Sequence, residues 1–308
     1  MPDNRDRSYL EFAKVIPCGL VVYIKSELHE VPEYGSYRGF CPNDETKQTY
    51  HGELSTGARK RMAKAIDLLL EIAPSRKIFN PTINKTHYFR LAFFTLTLSA
   101  PQDPYTDSDI KKNLLERFLR VWRNKGMKNY IWRAERQKNG NIHFHFITDT
   151  FIEKTQLRDT WNNIQNRLEF IDYFEKKFGH RDPNSTDIKS VKGVNEVKSY
   201  ILKYMTKPEK EGNQQVLNFQ DLAKQKGKVW DCSANLKLKN DTADFLSSDL
   251  WAKLQELKEK GFVEQLDSEY FKLFFFNKTT RSRLFPPHFF QAYNDYLERV
   301  RNFQATGT

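Results

Sequence analysis

The segment between residues 130 and 149 constrains the fold of this chain most strongly. Two strand-like runs, 130–137 and 142–149, lie on either side of the tripeptide Lys138-Asn139-Gly140, and polar and apolar residues alternate at the start of the second run. Alternation is the pattern of a strand with one buried face, and Asn-Gly between two such strands indicates a tight turn. The segment therefore predicts an antiparallel β-hairpin, which needs further strands and a second layer to bury its apolar face.

Strand and helix signals alternate on both sides of this hairpin. The sequence predicts a strand over 88–99, a helix starting at Ser108 and Asp109, the hairpin, a helix over 153–178, a strand over 186–191 and a helix over 195–207. The order βαββαβα is typical of an α+β domain, with a central antiparallel sheet covered by helices on one face. We assign residues 88–238 to this domain.

The two flanks are predicted to be mostly helical extensions. In the first, residues 1–87, a helix over 55–73 should bury Met62, Ile66, Leu69 and Ile72 and end at Pro74. Its first half is basic and is a candidate phosphate-binding surface, through Arg59, Arg61 and Lys64. The second, residues 239–308, has helical patterns at 250–260 and 286–302.

The charge balance favours a polyanionic partner but does not identify one. Lys and Arg number 50 against 39 Asp and Glu, a formal net charge of +11, which suits nucleic acid and equally suits a solvated basic surface. The three cysteines have no metal-binding or disulfide spacing, so a reducing compartment is expected. No apolar run is long enough for a membrane span, so we expect a cytoplasmic protein without a membrane partner.

Two histidines form a candidate metal site in the second hairpin strand. Alternation in Ile142-His143-Phe144-His145-Phe146 sends Phe144 to one face and both imidazoles to the other, within reach of one divalent ion. Two structural histidines in an ordinary strand remain the alternative, because such pairs occur in many unrelated proteins.

Glu135, on the partner strand, is the candidate third ligand. A three-residue loop with Gly140 in a left-handed conformation places Glu135 opposite His143, whereas a two-residue loop places Arg136 there. Two imidazoles and one carboxylate would suit Mn²⁺ or Mg²⁺ and leave room for a phosphate oxygen.

The predicted helix over 195–207 carries a candidate nucleophile. Tyr200 and Tyr204 are four residues apart and share a face, with Lys203 and Lys207 beside them. A neighbouring ammonium and a metal-polarised phosphate would make attack by a phenol feasible. The alternative is that both tyrosines only border a buried face.

Together these residues resemble the HUH endonuclease superfamily of replication initiators, in which a His-hydrophobe-His motif precedes the catalytic tyrosine helix. Residues 200–207, Tyr-Ile-Leu-Lys-Tyr-Met-Thr-Lys, are similar to the Tyr-x-x-Lys-Tyr-x-x-Lys pattern of two-tyrosine initiators of microviruses and related plasmids. Phe93-Phe94-Thr95-Leu96-Thr97 resembles the first motif of the family. Trp230-Asp231-Cys232-Ser233 is similar to its Trp-Gly-x-Ser segment, although Asp231 replaces the glycine.

The resemblance implies an HUH or RRM-like palm that nicks and joins single-stranded DNA through a 5′-phosphotyrosine intermediate. Mn²⁺ or Mg²⁺ would be held by His143, His145 and Glu135, Tyr200 and Tyr204 would attack, and Lys203 would steady the charge. The partner would be a replication origin, including a hairpin form, with helicase and polymerase supplied by a bacterial host. The sequence contains no GxxxxGK phosphate-binding motif, so ATPase activity is not expected.

Two other functions stay open at this point. A single-tyrosine transposase shares the metal pair but has no need of Tyr204. In a non-enzymatic basic nucleic-acid-binding protein, the two histidines would have only a structural role and would bind no metal. In either case Lys207, Trp132 and Trp230 are further candidates for DNA contact, although burial would give the tryptophans a packing role instead.

Overall fold

The computed structural model describes residues 9–17, 19–26, 55–80, 84–191, 227–268 and 271–303. These residues divide between two compact units. The terminal unit takes its residues from Met1–Thr49 and Leu238–Phe303, and the central unit takes its residues from Tyr50–Lys237. The predicted helix over 195–207 lies outside the described residues.

The described residues contain twelve strands and eight α-helices. The strands are β1 (Tyr9–Ile16), β2 (Gly19–Ser26), β3 (Arg76–Asn80), β4 (Lys85–Phe89), β5 (Leu91–Thr97), β6 (Tyr130–Arg136), β7 (Ile142–Thr148), β8 (Thr186–Val191), β9 (Trp230–Cys232), β10 (Ala243–Phe245), β11 (Glu264–Asp267) and β12 (Phe271–Phe275). The helices are α1 (Thr56–Ile72), α2 (Asp107–Ile110), α3 (Glu116–Asn124), α4 (Lys154–Gln165), α5 (Phe170–Phe178), α6 (Ser248–Glu259), α7 (Lys278–Leu284) and α8 (Gln291–Asn302). A π-helical turn, Lys111–Leu115, joins α2 to α3.

The central unit is built on a five-stranded sheet with the order β8-β5-β7-β6-β9. All of its paired strands are antiparallel. The hairpin pairs β6 with β7 in the middle of this sheet, and β8 and β9 lie at its edges. The predicted α+β class with an antiparallel sheet is confirmed.

One face of the sheet packs against the helices from α2 to α5. Phe94 of β5 stacks on Phe146 of β7 at 4.8 Å between ring centroids, and Phe118 of α3 contacts both rings. Trp161 of α4 closes the cluster edge-on to Phe118 at 5.9 Å. These side chains are fully buried, so this layer supplies much of the hydrophobic stabilisation of the unit.

Helix α1 follows its predicted pattern. The Ser55 hydroxyl caps the helix by accepting from the Ala58 amide at 3.2 Å, and the helix ends one residue before Ala73. The predicted apolar residues are buried at 0–5% exposure: Met62, Ile66, Leu69 and Ile72. The helix contacts β6 and does not contribute to the cluster around Phe118.

Three local predictions for the central unit are wrong in detail. The helix predicted over 153–178 is broken, because Glu169 adopts a left-handed conformation (φ 60°) between α4 and α5. The strand predicted over 88–99 is two strands, β4 and β5, and β4 forms a separate two-stranded ribbon with β3. The helix predicted to start at Ser108 is capped by Thr106, whose side chain and Asp109 form a capping box.

The terminal unit corrects the prediction of mostly helical extensions. Both ends of the chain contribute strands to one antiparallel sheet with the order β10-β1-β2-β12-β11. Strand β12, which is rich in phenylalanine, pairs with β2 and β11. The two predicted C-terminal helices are present as α6 and α8. Among the described residues, every helix is too short or too polar to cross a lipid bilayer.

Candidate functional site

The two histidines of β7 lie on one face of the sheet, as the alternation predicts. Their ring centroids are 4.5 Å apart. On the opposite face of the same strand, Phe144 and Phe146 are completely buried in the helix-covered core. Because these phenylalanines anchor the strand, both imidazoles are held on the other face without support from a ligand.

The hairpin register places Glu135 directly opposite His143. Gly140 has a φ of 86°, and the Gln137 amide donates to the Asn141 carbonyl at 2.8 Å, as expected for a three-residue loop with a left-handed glycine. The predicted register is therefore confirmed. The alternative register is excluded, since Arg136 pairs with Ile142.

A buried polar network fixes the hairpin end that carries the site. The Asn141 side chain accepts a hydrogen bond from the backbone N–H of Gln102 at 2.9 Å and donates one to the backbone carbonyl of Ala100 at 2.8 Å. The Gln102 side chain accepts from the Ile142 amide and donates to the Asp107 carboxylate. Asp107 in turn binds the Arg136 guanidinium at 2.6 Å. A buried network of this kind restricts the conformations that the loop can adopt.

Both carboxylate oxygens of Glu135 have partners on the same sheet face. Oε2 lies 2.9 Å from Nε2 of His145, and Oε1 lies 3.1 Å from the guanidinium of Arg133. Burial would raise the pKa of Glu135, but the hydrogen bond to His145 and the nearby charges outweigh it, so the pKa lies below its usual range. Glu135 is thus an anion at neutral pH, oriented by two neighbours.

His143 is held by Thr97 of β5. The Thr97 hydroxyl lies 2.9 Å from Nδ1 of His143, and the two residues are paired across the sheet. Burial, aided by the neighbouring His145, lowers the pKa of His143 to about 4, although the charge of Glu135 opposes this shift. The ring is therefore neutral at physiological pH, and the contact to Thr97 leaves Nε2 as the nitrogen available for a ligand.

The side chains of His143, His145 and Glu135 have the right chemistry to bind a divalent cation, but their arrangement matches a metal site only in part. Neutral imidazole nitrogen and carboxylate oxygen are suitable ligands for Mn²⁺ or Mg²⁺. Glu135 Oε2 and His145 Nε2 are 2.9 Å apart, close to the separation of about 3 Å expected for adjacent ligands on one ion. Within the described ranges, however, no three His, Cys, Asp or Glu side chains are arranged together as a metal centre. An ion would have to replace the direct Glu135–His145 hydrogen bond.

An open cleft of about 570 Å³ lies over this face. Its lining consists of the two histidines and the hairpin loop: Glu135, Arg136, Gln137, Lys138, Asn139, His143 and His145. Because it is open, with cationic side chains at its rim, the cleft is accessible to a large anionic substrate.

Four predicted catalytic or phosphate-binding residues lie outside the described residues: Tyr200, Lys203, Tyr204 and Lys207. Of the cationic residues of α1, Arg61 and Lys64 are exposed and Arg59 is half-buried. Trp230 is half-buried in β9, opposite Arg133.

The structure corrects the interpretation of Trp132 as a DNA-contacting residue. Trp132 is only 4% exposed and packs edge-on against Phe144 in the core. It has no exposed ring face on which a base could stack, so packing is its role.

Sequence reasoning missed two residues that orient the site. Thr97 and Arg133 contact His143 and Glu135 respectively. Alternation along β6 gives a signal for Arg133, because residues 133 and 135 must share a face. The signal for Thr97 is weaker, since its pairing with His143 depends on the register between β5 and β7.

Comparison with known proteins agrees with a replication role. Residues 91–209 match the family model of the replication-associated protein ORF2/G2P. No curated protein and no solved structure matches the chain. The matched segment is less than half of the chain, and it contains β5, the hairpin and both histidines. Over these residues the chain is similar to replication-associated proteins.

Proposed function

We propose that this protein is a rolling-circle replication initiator that nicks and rejoins single-stranded DNA at a specific site. The family match supports the replication role, and the residues of the site suggest the chemistry. The observation that carries the proposal is the placement of His143, His145 and Glu135 on one sheet face, beside an open cleft.

The described residues would bind and orient a scissile phosphate. His143, His145 and Glu135 would hold Mn²⁺ or Mg²⁺, which would neutralise phosphate charge and make the phosphorus more electrophilic. Thr97 fixes the ring of His143, and Arg133 fixes the carboxylate of Glu135. These two neighbours reduce the reorganisation that binding requires.

The nucleophile in this proposal comes from the sequence resemblance. The phenol oxygen of Tyr200 would form a bond to phosphorus while the bond from phosphorus to the 3′ oxygen breaks. The phenol proton would pass to solvent, and the departing 3′ oxygen would gain a proton to become a 3′-hydroxyl. Lys203 would stabilise negative charge during this step.

The free 3′-hydroxyl would prime a host polymerase at a replication origin in the bacterial cytoplasm, while a host helicase separates the strands. Tyr204 would attack the regenerated junction after one round, forming a second phosphotyrosine bond while the bond from phosphorus to the 3′ oxygen breaks. The 3′-hydroxyl released would attack the Tyr200 phosphotyrosine, which closes the unit circle and regenerates the phenol of Tyr200. This second attack distinguishes the proposal from a single-tyrosine transposase.

The direct Glu135–His145 hydrogen bond favours one competing function, a nucleic-acid-binding protein whose histidines are structural. A protein of that kind binds DNA with strong salt dependence and does not cleave it. Metal titration separates the two functions, because only the proposed nickase requires the ion.

The decisive experiment is capture of covalent protein–DNA adducts from randomised single-stranded oligonucleotides with Mn²⁺. We expect adducts whose sequenced fragments share one junction, and we expect none with EDTA or after the double substitution Tyr200→Phe/Tyr204→Phe. Single substitutions would show whether both tyrosines react. The substitution His180→Gln, at an exposed histidine outside the cleft, is the matched control for His143→Gln and should leave adduct formation intact.

Adducts that persist in the double tyrosine variant would disprove the assigned nucleophile. Adducts that form equally well in EDTA, or in the variant His143→Gln/His145→Gln, would disprove the metal site.

A further inference from the structure

A basic, aromatic ribbon lies outside both five-stranded sheets. Strands β3 and β4 pair only with each other, with Lys77 opposite Tyr88 and Phe79 opposite Thr86. We propose that the ribbon face carrying Lys77, Phe79 and Tyr88 binds unpaired nucleotides of single-stranded DNA, by stacking bases on the two rings and pairing a phosphate with Lys77.

One face of the ribbon is exposed along its whole length. Alternation along the two strands places Lys77, Phe79, Thr86 and Tyr88 on this face, and all four are exposed. Phe79 is 57% exposed and Tyr88 is 63% exposed. Isolated exposed aromatic residues are common on protein surfaces, whereas these two rings lie on one short ribbon face together with a lysine, where both are accessible to one ligand.

The charge of the ribbon points to an anionic occupant. No Asp or Glu occurs from residue 74 to residue 90, a stretch that contains Arg76, Lys77, Lys85 and Arg90. Two of these cations interact with other groups of the protein. Arg90 donates a hydrogen bond to the Leu70 carbonyl, and the positive charge of Arg76 favours the ionised form of the Asp149 carboxyl. Lys77 and Lys85 form no ion pair with any described residue, and both are exposed.

The combination of rings and cations favours unpaired nucleotides over an apolar protein partner. An apolar partner would leave Lys77 desolvated beside the Tyr88 ring, where its ammonium lies 5.7 Å from the ring centroid. A single strand offers flat bases for both rings and a phosphate for Lys77, and stacking of this kind tolerates any sequence. The choice of DNA over RNA rests on the proposed function.

The test is the affinity of the full chain for fluorescein-labelled oligo-dT, measured by anisotropy with EDTA present so that cleavage cannot contribute. Loss of both rings in Phe79→Ala/Tyr88→Ala should weaken binding by about tenfold or more. The matched control is Tyr173→Ala/Phe178→Ala on α5, which removes one exposed tyrosine and one exposed phenylalanine from the same unit. The control should bind like the wild type.

Two further variants and one control keep the test independent of folding. Tyr88→Phe retains the ring and should retain affinity. Lys77→Gln retains both rings and should lower the slope of log affinity against log salt by about 0.7, the value expected for one lost phosphate contact. Lys85→Gln, on the opposite ribbon face, is its matched control and should leave the slope unchanged.

Unchanged oligo-dT binding in Phe79→Ala/Tyr88→Ala, or an equal loss in the α5 control, would overturn the assignment. A larger loss for duplex DNA than for oligo-dT would also overturn it, since stacking requires unpaired bases. These outcomes are separate from the fate of the nickase proposal, because binding without cleavage in the wild type would leave the ribbon assignment standing.

Discussion

The buried, neutral imidazole of His143 should make the metal-free protein sensitive to mild acid. Burial lowers the pKa of this ring to about 4, from an ordinary value of 6.5. The unfolded chain therefore takes up a proton near pH 6.5, while the folded protein resists protonation until about pH 4. Between these values the unfolded state binds more protons, so the free energy of unfolding must fall as the pH falls.

The size of this effect follows from the two pKa values. Each unit of difference between the folded and unfolded pKa corresponds to about 1.4 kcal/mol of unfolding free energy. Most of this free energy has been lost once the pH reaches about 4.5. We therefore expect a loss of about 2 kcal/mol in unfolding free energy between about pH 7 and about pH 4.5. The lowered pKa of Glu135 acts in the same direction, but its contribution is lost mainly below its unfolded pKa, near the lower end of this range.

Urea unfolding in EDTA, followed by the fluorescence of buried tryptophans such as Trp161, would measure this loss. The substitution His143→Gln should remove about 2 kcal/mol of the difference between the two pH values. His180→Gln, at an exposed position, should leave the difference unchanged. An identical pH dependence in wild type and His143→Gln would refute the assignment of a neutral buried ring.

Three other substitutions test separate parts of the structure. Thr97→Val should weaken Mn²⁺ binding, measured by electron paramagnetic resonance, by about tenfold, and Thr97→Ser should restore it; equal binding by all three proteins would exclude an orienting role. Phe118→Ala should lower the unfolding free energy by about 3 to 5 kcal/mol in urea titrations, because it empties the centre of the helix-covered core. Gly19→Ala should expose the terminal unit to limited proteolysis, since the new Cβ would lie 1.9 Å from the Phe274 carbonyl oxygen; an unchanged digestion pattern would contradict this.

The sequence predicts the hairpin well because its signals are local. Alternation defines both strands, and the Asn-Gly pair with Gly140 at positive φ defines the loop. Once the loop is set, every pairing from Arg136 to Tyr130 follows by counting, including Glu135 opposite His143. The ligand candidates could therefore be placed on one face without knowledge of the remaining fold.

Interactions between distant segments explain most of what the sequence did not predict. Strand β1 pairs with β10 across more than 200 residues, and neither periodicity nor turn residues carry information about such a partner. The network of Gln102, Asp107 and Asn141 likewise depends on how the segment before α2 returns to the hairpin. The break at Glu169 was missed for a different reason. The segments on both sides of Glu169 are helical, so a change of conformation at this one residue leaves the helical sequence pattern intact.

Strand alternation in β7 places the core residues and the candidate site residues on opposite faces, and this explains why both sets could be assigned to faces from the sequence. Phe144 and Phe146 occupy the core face, so the position and direction of the strand are set by packing that does not involve the histidines. The strand therefore does not need the imidazoles for its position, and a ligand on both rings would replace the direct hydrogen bond between His145 and Glu135. Substitutions of the histidines should accordingly affect binding much more than folding at neutral pH, whereas substitutions of the phenylalanines should affect folding first.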